Sequence, residues 1–246
     1  MNTQTILIIV AAMGVGSFVK GATGQGLPPI AIPVMATFIG VEAAVVIMAI
    51  PGIVTNTWLI WTHRGNFRST RDLGMLLATG TVGAVVGTFL LQRLDEDLLS
   101  LTLAAMIAVY ALVYLVHPDL RLPARVTRFT SPPVGLTAGL LQGATGISGP
   151  LLSTYLHGYR LEKEAYVLMI TTVFQVYALV QAVTLAAVGL YTGNRLALSL
   201  LALLPIMAIL PLGARLTGRL SRRTFDYLVL ALLVASALKL VYDGLS

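Results

Sequence analysis

The stretch GATGQGLPPIAIPVM, Gly21–Met35, is echoed 122 positions later by GATGISGPLLSTYL, Gly143–Leu156. Each copy sets two glycines within four residues, then a short step, a proline and an apolar run. Glycine is costly in a helix interior, and proline is tolerated only in the first turn. Each copy therefore reads as a helix that stops, turns and restarts. Non-helical backbone at membrane depth survives only when it is buried in protein or lines a wet cavity. Gly/Ala/Thr spacing also suits close helix packing, but the proline in both copies favours a break.

The surroundings are a membrane sequence. Hydrophobic residues make up 57% of the 246, charged residues only 11%, and mean hydropathy is +0.88. Soluble domains carry roughly 25% charged residues. The net charge of +6 belongs to loops, since no solvated domain exists to carry a nucleic-acid patch. The absence of cysteine excludes disulfides, zinc-thiolate sites and thiol catalysis. No metal site or cofactor is expected.

Eight apolar segments can be marked: Thr5–Phe38 (the first broken one), Glu42–Trp61, Asp72–Leu91, Leu98–Val116, Val134–Leu156, Glu164–Leu190, Leu196–Leu216 and Phe225–Val241. The fold expected is an all-α polytopic membrane protein in two homologous halves. At the offset of 122, Pro28 falls on Pro150, Glu42-Ala43 on Glu164-Ala165 and Val54 on Val176. Toward the end the offset is 126, and Gly87 meets Gly213 while Arg93 meets Arg219. The division is a first repeat at 1–117 with its hairpin motif at 21–28, a cytoplasmic linker at 118–132, and a second repeat at 133–246 with its motif at 143–150. Internal duplication is a common transporter plan.

The cations decide whether a broken segment crosses or returns. If Val134–Leu156 crosses once, one side carries Arg64, Arg68, Arg71, Arg121, Arg125, Arg128 and Arg195, and the other Arg93, Arg160, Lys163, Arg215, Arg219, Arg222 and Arg223. That is seven against seven. If it enters and returns, only Arg93 and Arg195 oppose the other twelve, and the crowded side is cytoplasm. Each half is then a broken-helix hairpin plus three spanning helices. An odd number inverts the second half, so the hairpins enter from opposite faces and their tips meet near the midplane. Both termini lie outside.

The expected substrate site follows. Lys20 is the cation beside a break, and its counterpart is Gln142. A lysine at depth is costly and usually functional, whereas one at a segment end snorkels to headgroups. Half-helix N-termini present N–H groups and a positive dipole end. The candidate substrate-binding residues are Lys20, Gly21, Thr23, Gly24, Gln25 and Gly26 in the first half, Gly143, Thr145, Gly146, Ser148 and Gly149 in the second, and Asn56 and Gln175 on the helices that follow. Asn56, Gln175, Tyr177 and Gln181 also read as interhelical glue. Glu42 and Glu164 sit at matching helix starts and complement the dipole there. They are the only carboxylates in the membrane segments apart from Asp72 and Asp226, which stand at the starts of the third and eighth. The chemistry points to an anion. Gly80, Gly83 and Gly87 read as helix packing, and Pro51, Pro205 and Pro211 as kinks.

GISG, Gly146–Gly149, also matches the GxSG of rhomboid-type proteases, which would make Ser148 a nucleophile. The one downstream histidine is His157, in the exit of the same hairpin, and the first copy has Gly26 in place of Ser148. No catalytic residue is assigned.

The doubled glycine-proline motif, the eight segments and the closing GARLTGRLSRRTFDYLVLALLVASALKLV, Gly213–Val241, together resemble the TauE/SafE family of sulfite exporter-like proteins, or 4-toluene sulfonate uptake permeases. The family motif maps onto Gly21, Gly24, Gly26 and Pro28, and onto Gly143, Gly146, Gly149 and Pro150. The chain departs from it with Ala-Thr in place of a richer glycine run. The resemblance implies a multi-pass protein of the bacterial inner membrane that moves sulfite, sulfonates or related anions, in either direction. The partners expected are a small anion and membrane lipid, without nucleic acid, and a homodimer is compatible with the sequence. The function expected is a secondary transporter with alternating access. The competing expectations are an anion-selective channel, an intramembrane serine hydrolase and a non-transporting scaffold.

Overall fold

The computed structural model describes residues 3–23, 26–65, 72–116, 122–216, 234–242 and 245. Among the described residues it is helices and their connections, without strands. The first broken segment is α1 (Thr3–Thr23) and α2 (Leu27–Ile39). A Cβ built on Gly16 would lie 3.0 Å from the Leu27 carbonyl oxygen, and one on Gly26 would lie 2.7 Å from Val19 Cγ1. The two helices therefore lie side by side as a hairpin. Next come α3 (Val41–His63), α4 (Leu73–Arg93) and α5 (Glu96–Val116). The second broken segment is α6 (Ala124–Thr145) and α7 (Gly149–His157). The Leu122 N–H donates to the Gly158 carbonyl at 2.8 Å, so this chain also returns to where it set out. Then follow α8 (Lys163–Ala187), α9 (Gly193–Leu201), α10 (Leu203–Leu216) and helical residues 234–242.

Five helical stretches are long and apolar enough to cross a membrane: Thr3–Gly21, Val41–His63, Leu73–Arg93, Glu164–Ala187 and Gly193–Gly213. Most of the eighth expected segment lies outside the described residues, as do Arg68, Arg71, Arg121, Arg219, Arg222 and Arg223. The fifth segment differs from expectation: α6 begins at Ala124, ten residues before Val134, and runs through Pro132 and Pro133. Thr127 and Ser131 are buried there. Ser131 Oγ lies 2.9 Å from the Tyr155 hydroxyl and 3.1 Å from that of Tyr159, which ties the polar first turns of α6 to the end of α7. Pro205 is not a kink inside one helix, because α9 and α10 part at Ala202. Its missing N–H deprives the Leu201 carbonyl of an intrahelical partner. Pro51 has the same effect on the Ile47 carbonyl within α3, and Ser199 Oγ donates to that oxygen instead.

Contacts define two ends of the bundle. At one, His63 Nε2 meets Glu164 at 3.0 Å, the Tyr159 hydroxyl reaches Asp72 at 3.4 Å, and Leu122 meets Gly158. At the other, Arg195 meets Glu42 at 2.7 Å, the Val41 N–H donates to Glu96, and Gln92 donates to the Val188 carbonyl at 3.2 Å. Arg64, Arg125, Arg128 and Arg160 lie at the first end, Arg93 and Arg195 at the second. Pairings of α3 with α8 run Thr57–Gln175 and His63–Glu164, so these two helices are antiparallel.

Each hairpin packs on a helix from the other half of the sequence. A Cβ on Gly87 of α4 would lie 2.1 Å from the Leu140 oxygen of α6, and one on Gly213 of α10 would lie 2.2 Å from the Phe18 oxygen of α1. Leu140 and Phe18 stand 122 positions apart, Gly213 and Gly87 126 apart, so the same backbone contact is made twice. Two apolar cores result. Leu76, Ala138, Leu152, Leu156, Met169 and Val173 join α4, α6, α7 and α8. Met13, Leu27, Ile47, Leu103, Leu198 and Ile206 join α1, α2, α3, α5, α9 and α10, and Leu91, Ile147 and Leu185 bring the end of α4, the turn of the second hairpin and the end of α8 into the same core.

Candidate functional site: two hairpin tips and a buried lysine

Both returning half-helices start as the sequence dictates. α2 opens Leu27-Pro28-Pro29 behind Gly26, whose φ of 108° suits glycine alone. α7 opens Gly149-Pro150 behind Ser148, after Gly146 has closed α6 at φ 70° with its N–H on the Gln142 carbonyl. A Cβ on Gly149 would lie 3.9 Å from Pro29 Cγ, and one on Gly146 2.4 Å from Ile32 Cδ1. The half-helix N-termini thus face each other. At 1.5 Å per residue, α2 and α7 are about 20 and 14 Å long, which together match the roughly 30 Å hydrocarbon thickness. The tips therefore meet nearer the cation-rich end of the bundle than its other end. Pro28 and Pro29 remove two N–H groups from the first turn of α2, so α7 supplies more of the backbone donors.

Lys20 is 3% exposed, in the last turn of α1. Its Nζ donates to Thr55 Oγ1 at 2.8 Å and Asn56 Oδ1 at 2.7 Å. Thr55 passes its own proton to the Pro51 carbonyl at 2.9 Å, the oxygen one turn below. An ammonium has three donors. Two are used here, both on neutral acceptors, and the third has no partner among the described residues.

The second hairpin makes a closed amide network at the matching place. Ser148 Oγ donates to Gln142 Oε1 at 2.8 Å, and Gln142 Nε2 donates to Gln181 Oε1 at 3.2 Å. Gln181 Nε2 returns to the carbonyls of Gln142 at 2.8 Å and Gly143 at 3.1 Å. Thr145 Oγ1 bonds the Leu141 carbonyl at 2.8 Å and accepts from the Ile147 N–H at 3.3 Å, holding the turn. Ser148 therefore donates to an amide, not a base. His157 Nδ1 lies on the Ser153 carbonyl at 2.7 Å, at the far end of α7.

Of the residues singled out in the sequence, Lys20 and Asn56 come together, as do Gly26, Gly146, Ser148 and Gly149 at the tips. Gly143 faces α4, where a Cβ would lie 2.3 Å from the Ala84 oxygen, so its small size serves packing. Gln175 bonds Thr57 at 3.0 Å. Gly21 lies in the last turn of α1, half-buried. Gly24 and Gln25 lie outside the described residues, as does the Thr23 side chain. Thr55 carries no sequence signal beyond its place beside Asn56. Gln142 and Gln181, a linked pair 39 residues apart, were legible only as the counterpart of Lys20 and as glue. At the cation-rich end, burial above all holds the Tyr159 phenol well above its usual range, so it acts there as a neutral hydroxyl.

An all-helical polytopic chain with two broken-helix hairpins tip to tip, and a buried cation beside them, has the architecture of a membrane transporter. The family model of Sulfite exporter TauE/SafE matches residues 8–240, and the chain belongs to that family. It is a multi-pass membrane transport protein. No curated protein and no solved structure matches the chain.

Proposed function

We propose that the chain is a secondary carrier of small sulfur-containing anions, of the sulfite or sulfonate type, in the bacterial inner membrane. The observation that carries this is Lys20: a buried ammonium bonded, among the described residues, only to neutral oxygens, beside two facing half-helix N-termini. A buried charge without a counter-ion is expensive, and an anion between the tips supplies one. The Gln142–Ser148 network, with every donor directed inward, forms the opposite wall.

The moving bodies follow the two apolar cores rather than the two sequence halves, with Leu91, Ile147 and Leu185 of the second body lodged in the first core at the boundary. One comprises the first hairpin with α3, α5, α9 and α10, the other the second hairpin with α4 and α8. The α3–α8 pair is the seam between them, and the site lies on it. The absence of cysteine makes this testable by cross-linking. Joining Glu42→Cys to Arg195→Cys, both within one body, is expected to leave flux intact. Joining His63→Cys to Glu164→Cys, across the seam, is expected to stop it.

The cation-rich end is the cytoplasmic one. In sealed cells, an impermeant thiol reagent is expected to label Asp97→Cys and Gly193→Cys from outside, and Arg125→Cys and Arg160→Cys only after permeabilisation. The transport test itself is sulfite flux into proteoliposomes. A carrier saturates with concentration; flux that rises linearly would assign a channel.

A further inference from the structure

Among the described residues, one buried side-chain atom without a hydrogen-bond partner is Gln175 Oε1. The identity of the unpaired atom follows from its neighbours. Thr57 Oγ1 donates its only proton to the Ile53 carbonyl at 2.8 Å, so it can offer Gln175 only a lone pair. The amide atom 3.0 Å from Thr57 must then be the N–H, and the atom left over is an acceptor.

Leaving a buried acceptor unmade costs its full desolvation penalty, and here the fold does not need it. The first-half counterpart of Gln175 is Ile53, an apolar residue. The other two amides facing each other across the second hairpin close their bonds: Gln142 and Gln181 donate and accept from one another. Gln175 lies on the α3–α8 seam, and its chain neighbours on both helices reach the site. Its partner Thr57 follows Thr55 and Asn56, the two residues that hold Lys20, within one turn of α3. Its neighbour Phe174 lies 3.8 Å from the Cβ position of Gly149, at the junction of the tips.

The seam thus offers two unused groups of opposite kind, an N–H of Lys20 and the Oε1 of Gln175. We infer that Gln175 is a specificity-determining residue whose Oε1 accepts a hydrogen bond from the substrate. The class selected is an anion that carries its own donor, such as hydrogensulfite or a hydroxy- or amino-substituted sulfonate, over one that only accepts. The ammonium takes an anionic oxygen; the amide oxygen takes the substrate's O–H or N–H. A fully deprotonated or purely alkyl anion leaves Oε1 as it stands, buried and unpaired. This rests on the anion site proposed above and adds to it the donor requirement.

Ethanesulfonate and 2-hydroxyethanesulfonate differ by one hydroxyl and test this directly. Calorimetric titration of the full chain in detergent is expected to show the hydroxyl-bearing anion binding about tenfold tighter, the scale of one hydrogen bond. In Gln175→Leu the two affinities should converge, through loss on the hydroxyl-bearing side alone. Equal affinity in the unaltered protein would overturn the inference, and that comparison needs no variant to fold. A preference that survives in Gln175→Leu would overturn it as well. The underlying anion site fails in a different way: neither sulfonate binds, or both bind Lys20→Met as tightly as the unaltered protein.

Discussion

Lys20→Met is expected to lower sulfite affinity by about a hundredfold or more, because it removes a charge-assisted hydrogen bond from a desolvated site. The fold should survive. The ammonium is buried against Thr55 and Asn56 with no counter-ion among the described residues, so its removal relieves a desolvation cost. Against that, Asn56 Oδ1 loses its donor, which costs about 1–3 kcal/mol. Thr55 keeps its bond to the Pro51 carbonyl. These effects oppose one another, and the unliganded melting temperature should move by only a few degrees while flux is lost. Lys20→Arg should bind poorly as well, since a planar fork does not fit a point-charge position between two adjacent side chains. Unimpaired sulfite flux in Lys20→Met would remove the residue from the site.

Gly139→Ala is expected to be among the most damaging single methyls at the described glycines. Its Cβ would lie 2.0 Å from the Gly80 carbonyl oxygen and 2.7 Å from the Gly80 Cα. Both contacts are backbone, so no side chain can swing aside and α4 and α6 must separate. Separation also disturbs the neighbouring contacts of Gly83 with the Leu136 oxygen and Gly87 with the Leu140 oxygen, each 2.1 Å from a built Cβ. Overpacking typically costs 1–3 kcal/mol, and this rigid case belongs near the 4–5 kcal/mol tail. Gly74→Ala in the same α4 is the control. Nothing lies within 4 Å of its Cβ position, and helix propensity alone should raise stability by up to about 1 kcal/mol. Thermal unfolding in detergent distinguishes the two; similar melting temperatures would mean that α4 and α6 do not approach through glycine.

The parts of this structure that were legible in the sequence are those that local chemistry imposes. Gly146 and Gly26 stop or precede a helix because of their backbone, and Pro28 and Pro150 restart one, whatever surrounds them. The distribution of arginines favoured a returning second segment before the Leu122–Gly158 bond was seen. Tertiary choices were not legible. The start of α6 at Ala124 depends on Thr127 and Ser131 being buried against Tyr155 and Tyr159, 24 to 28 residues away. The spacing of Gly80, Gly83 and Gly87 announces a close helix contact but cannot say that α6, across the halves, is the partner. In the site, Lys20 was visible as an isolated cation. Its pairing with Asn56 was not, because two side chains 36 residues apart share no periodicity. Gln175 was legible as a candidate binding residue, but that one of its atoms stays unpaired is a property of the packed helices alone.

The central claim is that an anion binds between the tips and is held by Lys20. The most direct measurement is the melting temperature of the purified chain against sulfite, sulfate, sulfoacetate, 4-toluene sulfonate, acetate and phosphate, repeated with Lys20→Met. A ligand at 100 times its dissociation constant adds about 2.7 kcal/mol of stability, a shift easily read. Selective stabilisation by sulfite or a sulfonate, abolished in Lys20→Met, is the predicted result. Stabilisation by none of the anions, or an equal shift in Lys20→Met, would contradict the account.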